Sequence, residues 1–224
     1  LWSDSLVNQT ITDYEIIAVD DCSTDNSLDI LREYEKRYPD KFKVMASRVN
    51  KRQGGAKNLG LTRAAGEWIG FIDSDDWVTP DYYEKLLAFA EEAGADMAGC
   101  DYHLTGEHSM EIGQVVPNNK ISQAGVLTKE KYRSLILDSG SLVVKIYKRH
   151  IILDYPNRFP ENIFYEDNAI SNSWMLRAKK FAYLPEPLYY YYQHGTSTVH
   201  TITQRRCEDR MEAARIMVRE AREF

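Results

Sequence analysis

The stretch "EWIGFIDSDDWVTPDYYEKLLAFAEEAG" (67–94) decides the fold. Residues 67–73 form a short apolar run ending in an acid, read as a buried strand. Three carboxylates then fall within four positions, Asp73, Asp75 and Asp76, with Ser74 between the first two and Trp77 after them. The remainder is a strongly signalled helix, with Thr79 as cap, Pro80 at its first position and Gly94 as stop. Strand, acidic turn and helix in that order make one unit of an open α/β sheet, whose ligands bind outside the carboxyl ends of the strands. The acids lie on that rim.

The neighbouring sequence repeats the alternation. "YEIIAVD" (14–20), "FKVMAS" (42–47) and "ADMAGCDY" (95–102) read as further strands. "CSTDNSLDILREYEKRY" (22–38) carries Leu28, Leu31 and Tyr34 at helical spacing, and "GGAKNLGLTRAAG" (54–66) reads as a helix closed by Gly66. The expected fold is α/β, a Rossmann-like, mostly parallel sheet with helices on both faces. Asp20 and Asp21 end the first strand, so two acidic clusters share one rim. The second half is less regular. Residues 103–126 read as a polar excursion or hairpin, 128–138 and 165–180 as helices, and 141–149 and 181–194 as strands. The tail from Gln204 is an amphipathic helix with Met211, Ala214, Val218 and Ala221 roughly on one side.

Composition narrows the function classes. The 224 residues are 43% hydrophobic and 28% charged, an ordinary globular balance. A net charge of −6 argues against a broad nucleic-acid surface. No stretch approaches the ~20 apolar residues of a membrane span. Cys22, Cys100 and Cys207 show neither zinc spacing nor a redox pair, which favours a reducing cytoplasm over a secreted disulfide framework.

Carboxylates this close repel one another unless a cation sits among them. A calcium loop counted from Asp73 fails, because Trp77 and Val78 occupy the positions of a ligand and a required glycine. A phosphohydrolase with Asp73 as nucleophile also puts D-x-D after a strand, but Asp76-Trp77 fits its turn poorly. A solvated turn remains an alternative. So does a Mg²⁺ or Mn²⁺ bridging a nucleotide diphosphate, which hard carboxylates suit.

Three segments together carry a family resemblance: "SLVNQTITDYEIIAVDDCSTDNSLDIL" (5–31), "NKRQGGAKNLGLTRAAGEWIGFIDSDDWVTPDYYEKL" (50–86) and "YEDNAI" (165–170). In these the chain resembles glycosyltransferase family 2, the inverting nucleotide-sugar transferases of GT-A fold. The resemblance implies that Asp21, with Asp20 beside it, holds the nucleotide. It sets the family's D-x-D on Asp73, Ser74 and Asp75, extended by Asp76, with Asp75 or Asp76 as metal ligand and Asp73 nearer the ribose. It makes Asp167 the catalytic base and Glu166 its helper. Lys57 and Arg52 lie in a Gly-rich run near the same rim and could face the diphosphate; the run lacks the Gly-Lys-Ser/Thr ending of a P-loop.

The implied partners are a nucleotide-sugar donor, a UDP-sugar above all, and a glycan or lipid-linked acceptor, with no nucleic acid. The implied division is a nucleotide-sugar-binding half over 1–102, an acceptor-binding and catalytic half over 103–200, and the C-terminal helix over 201–224. The arginines of that helix could meet an anionic membrane at its cytoplasmic face, or the helix could pair in a homodimer. His194 could close over the diphosphate. Trp77 and Tyr189 to Tyr192 could offer sugar-stacking faces, at most half of the strand residues on one side.

Two departures stand out. "LWSDSLVNQT" (1–10) looks like the helix that follows the family's opening strand, so that central strand is expected upstream. Cys22 replaces the glycine common in "DDGSTD", which costs strain wherever the position needs positive φ. A non-catalytic nucleotide- or sugar-binding module of the same fold is the alternative outside catalysis.

Overall fold

The computed structural model describes residues 1–106, 113–156, 158–193 and 202–223. Its elements run α1 (Trp2–Val7), β1 (Ile16–Asp20), α2 (Ser27–Arg37), β2 (Phe42–Ala46), α3 (Arg52–Leu61), β3 (Trp68–Gly70), β4 (Trp77–Val78), α4 (Tyr82–Ala93), β5 (Met97–Thr105), β6 (Val115–Val116), β7 (Gly125–Val126), α5 (Lys129–Leu137), β8 (Lys145–Lys148), α6 (Arg149–Leu153), α7 (Glu166–Arg177), β9 (Lys180–Tyr192) and α8 (Gln204–Glu223). No helix among the described residues is long and apolar enough to cross a membrane.

The α/β reading holds. The two longest ladders, β1 with β2 and β5 with β9, are parallel, and short antiparallel pairings complete the larger sheet in the order β3-β8-β5-β9-β4. Successive strand residues feed opposite cores. Ala98, Ile146 and Ala182 pack with Tyr82, Leu86 and Ala90 of α4, while Met97, Tyr147 and Phe181 pack with Ile170, Trp174 and Met175 of α7. This period-2 division is what puts helices on both faces. The β1–β2 pair is separate from the larger sheet, and among the described residues no strand joins β1 to β3.

Several expected boundaries move for local reasons. Gly94 stops α4 in the left-handed conformation (φ 59°, ψ 41°), as read. Its start is later than Thr79-Pro80: Asp81 is the N-cap. Thr79 is held elsewhere, its N–H donating to Leu188 O (2.9 Å) and its carbonyl accepting from Gln9 Nε2 (2.8 Å). The strand expected over 67–73 pairs only through Gly70, because Phe71 turns away to stack on Trp174 (5.8 Å, 22°). The strand expected over 141–149 is confined to Lys145–Lys148 and runs straight into α6. The helix expected over 54–66 begins at Arg52 and ends at Leu61.

Candidate active site

Two carboxyl-terminal strand ends and two helix starts converge. β1 delivers Asp20 and Asp21, and the loop after β3 delivers Asp73 to Asp76. α3 carries Lys57, and α7 opens on Glu166 and Asp167. Lys57 Nζ is the hub. It donates to Glu166 Oε1 at 2.8 Å and lies 3.9 Å from Asp73 Oδ1, with its side chain 12% exposed and that of Glu166 only 4%. One buried cation therefore ties the D-x-D loop to the E-D helix, residues read separately in the sequence.

Close helix approach makes this possible. A Cβ on Gly54 would stand 2.1 Å from Pro160 O and 3.3 Å from Glu166 Cβ, so only glycine lets α3 meet the turn before α7. Asn58 fixes the same approach, donating from Nδ2 to Phe159 O (2.8 Å) and accepting at Oδ1 from Phe159 N (3.0 Å).

The charges shift accordingly. Burial alone would lower the Lys57 ammonium, but Asp73, Glu166 and Asp167 together hold it above its ordinary value. Asp167 is raised above the usual carboxylate range, chiefly by burial and further by Glu166 and Asp73, with Lys57 pulling the other way. A raised carboxylate is a better proton acceptor than a solvated one. Neither acid is the cap of α7: the N-cap is Tyr165, in the left-handed conformation with φ 63°.

Asp73 is half-buried and Ser74 and Asp75 are exposed. Asp76, expected beside Asp75 as a metal ligand, turns inward instead. It is 1% exposed, and its oxygens accept from the Tyr189 hydroxyl and from Tyr192 N–H (2.8 Å). Burial pushes its carboxyl up to about 8. These two bonds tie the acidic loop to β9. Among the described residues no three His, Cys, Asp or Glu side chains form a ready metal cage. An ion that arrives with a diphosphate needs only one or two carboxylates, and Asp75 with Asp73 fits that demand.

On the other strand end, Asp20 is 4% exposed. Its Oδ2 accepts from Ser23 N (3.2 Å), and its buried Oδ1 has no hydrogen-bond partner among the described residues. Asp21 accepts from Lys51 N at both oxygens (3.0 and 2.9 Å). Cys22 has φ 63°, the strain foreseen at that position. The described non-glycine residues with positive φ are Cys22, Arg52, Asn162 and Tyr165.

Sequence reasoning missed the α8 contribution. Asp209, 4% exposed, accepts from Phe164 N (3.1 Å) and pairs with Arg205 Nε (3.0 Å), while Arg205 donates to Asn162 O (3.2 Å). An acid within a helix rich in both charges gives no signal of burial. Trp77 stacks on Tyr190 (5.4 Å, 10°), which stacks on His103 (5.0 Å, 24°); the row crosses three adjacent strands. His194 lies outside the described residues.

Comparison with known proteins places the chain in a family. Residues 3–139 match the family model described as glycosyl transferase family 2. The chain is 31% identical over 198 residues to the glycosyltransferase YibD of Escherichia coli K12, covering 87% of this chain and 57% of that protein. It is 33% identical over 192 residues to the poly(ribitol-phosphate) beta-glucosyltransferase of Bacillus spizizenii, covering 84% of this chain and 29% of that one. The chain thus spans a little over half of the first relative and under a third of the second. Among solved structures, Staphylococcus aureus TarS 1–349 with UDP-GlcNAc superposes with a TM-score of 0.76 at 26% identity, covering 98% of this chain and 61% of that one.

Proposed function

The chain belongs to glycosyltransferase family 2, and we propose that it moves a sugar from a UDP-linked donor to a hydroxyl of a surface glycan or lipid-linked oligosaccharide, by single displacement with inversion, at the cytoplasmic face of the membrane. The observation that carries the reading is the Lys57 bridge, which sets a raised carboxylate, Asp167, beside the acidic loop where a nucleotide diphosphate would lie.

The residues divide the work. Asp21 and Asp20 accept from the nucleobase. Asp73 and Ser74 face the ribose and diphosphate. Asp75, with Asp73 behind it, would hold a Mg²⁺ or Mn²⁺ that comes with the donor, and that ion would supply neutralisation of the leaving diphosphate. Asp167 takes the proton of the acceptor hydroxyl as it attacks the anomeric carbon from the face opposite the diphosphate, a contribution of roughly 10²–10⁴-fold. Glu166 keeps Lys57 in place, and Lys57 opposes the upward shift that burial gives the base. TarS with its bound UDP-GlcNAc, and the polymer acceptor in the name of the Bacillus relative, support the donor and acceptor classes.

The test is calorimetry of UDP with Mn²⁺ and with EDTA, followed by transfer assays on Asp167→Asn. Tighter UDP binding with the ion, and a fall in transfer of roughly 10²-fold or more with UDP binding retained, is the expected result. Equal UDP affinity in EDTA, or near-normal transfer by the variant, overturns the respective assignment.

A further inference from the structure

We propose that Arg52, Arg206 and Arg210 form a site for a phosphate group carried by the acceptor chain, beside the base. The assignment to the acceptor rests on the reading of Asp167 as the base that receives the acceptor's proton.

The three guanidiniums gather on the two aromatic residues that immediately precede Glu166 and Asp167. Arg52 stands 4.1 Å and Arg206 4.9 Å from the Phe164 ring centre, and Arg210 stands 5.4 Å from that of Tyr165. They come from the start of α3 and from α8, far apart in sequence. Gathering like charges costs repulsion, and here it happens on a chain whose net charge is −6. Neighbouring cations are neutralised: Arg205 pairs with Asp209 at 3.0 Å and Lys51 with Glu161 at 3.1 Å. Among the described residues no carboxylate comes within ion-pair distance of Arg52 or Arg210.

Stacking explains where these groups sit but not what they do. A guanidinium on an aromatic ring uses its flat face, and its five in-plane N–H donors stay directed outward. The side chains of Arg52 and Arg210 donate to no described residue. Among the described residues their donors are left for bidentate bonds to an oxyanion. A carboxylate has two oxygens and satisfies one such fork. A phosphate, with more oxygens around a tetrahedral centre, can accept from more than one fork. Two of the three arginines belong to α8, whereas Asp21, Asp73 and Asp75 lie at the strand ends. The phosphate is therefore assigned to the second substrate rather than to the nucleotide.

The test uses the full chain and a fluorescein-labelled abasic deoxyribose-phosphate oligomer, a phosphodiester probe without bases, read by anisotropy with and without saturating UDP and Mg²⁺. The expected result is binding that UDP does not displace and that weakens with salt. The double variant Arg206→Gln/Arg210→Gln should weaken it by about 10–100-fold, at one to two charge-assisted hydrogen bonds. Its UDP affinity should stay at the parent value. Arg215→Gln, on the same helix but paired with Glu212 (3.2 Å), should change nothing. Displacement of the oligomer by UDP, or equal binding by the double variant, overturns the proposal. Binding to phosphatidylglycerol vesicles through the same arginines, without binding of the oligomer, reassigns the phosphate to a lipid headgroup and overturns the acceptor-chain assignment. Should UDP fail to bind at all, the donor reading falls, while the titration without UDP still decides the arginine site.

Discussion

Replacing Lys57 by methionine tests the hub directly. Methionine fills the space of the stem and removes the charge. Glu166, whose side chain is 4% exposed, then keeps a buried carboxylate with no cation, and Asp73 and Asp167 lose the same neighbour. Breaking a buried pair by removing one partner costs about 3–5 kcal/mol. At about 2–4 °C per kcal/mol for a chain of this size, the melting temperature should fall by roughly 6–20 °C. The double variant Lys57→Met/Glu166→Gln removes the stranded charge and should recover most of that loss, because replacing both partners is often close to neutral.

Activity adds an independent readout. Asp167 must be ionised to accept a proton, so transfer rises as pH climbs through its pKa. Lys57 holds that pKa down against burial and two neighbouring carboxylates. Lys57→Met should therefore move the acidic limb of the kcat/KM profile to higher pH, and adding Glu166→Gln should move it part of the way back. The assays are thermal unfolding followed by circular dichroism, and transfer rate from pH 5 to 9. A single variant that melts like the parent, or whose acidic limb stays put or moves down, refutes the hub.

Other expectations follow from single contacts. Asp76→Asn keeps an acceptor for Tyr192 N–H and a partner for Tyr189, so calorimetry should find its metal-dependent UDP binding near the parent value, whereas Asp75→Asn should lose the metal's contribution; loss in Asp76→Asn alone would make Asp76 the ligand after all. Gly54→Ala meets the backbone oxygen of Pro160 at 2.1 Å, which no side-chain rotation relieves; denaturant unfolding should show a loss of about 1–3 kcal/mol, with slower transfer as Lys57 and Glu166 part. Lys145 is fully buried, donates to Ser139 O (2.8 Å) and Ser141 O (2.7 Å), and is lowered by burial from 10.5 to about 7. A depressed folded pKa means that the linked stability is present above pH 10.5 and drains as pH falls towards 7, so the stability of Lys145→Met relative to the parent should rise by up to about 1.4 kcal/mol per pH unit on going from 10 to 7. A pH-independent difference between the two would exclude the buried neutral lysine.

Where local chemistry alone set an element, the sequence was enough. The apolar runs over 14–20 and 42–47 became β1 and β2, and Gly94 stopped α4 in the conformation that favours glycine. Where a distant partner set the outcome, it was not. Thr79 has the chemistry of a cap but is held by Leu188 and Gln9, neither of which is near in sequence. Asp76 reads as one more acid of the cluster until Tyr189 and Tyr192, over a hundred residues on, claim its oxygens. The same holds for the site. The acids of the rim were readable because strand ends gather ligands. That Lys57 joins them to Glu166 depends on α3 reaching α7 over Gly54, a long-range approach that no local pattern encodes.

The strained residues give that approach a further meaning. Cys22, Arg52, Asn162 and Tyr165 all take positive φ without being glycine, at about 1–2 kcal/mol each. Such residues persist only where their surroundings over-determine them. Around Asn162 and Tyr165 the determining groups come largely from α8: Arg205 holds the carbonyl of Asn162, Asp209 holds the N–H of Phe164, and Arg210 lies against the ring of Tyr165. Around Arg52 they come from Asn50, whose Oδ1 accepts from Arg52 N (3.2 Å), and from the ring of Phe164. The turn that aims Asp167 is thus fixed from two sides, by α3 and by α8. The C-terminal helix, which sequence reading set apart as an amphipathic appendage, packs on the turn that precedes Glu166 and Asp167, because α8 and the start of α3 together supply the contacts that fix it.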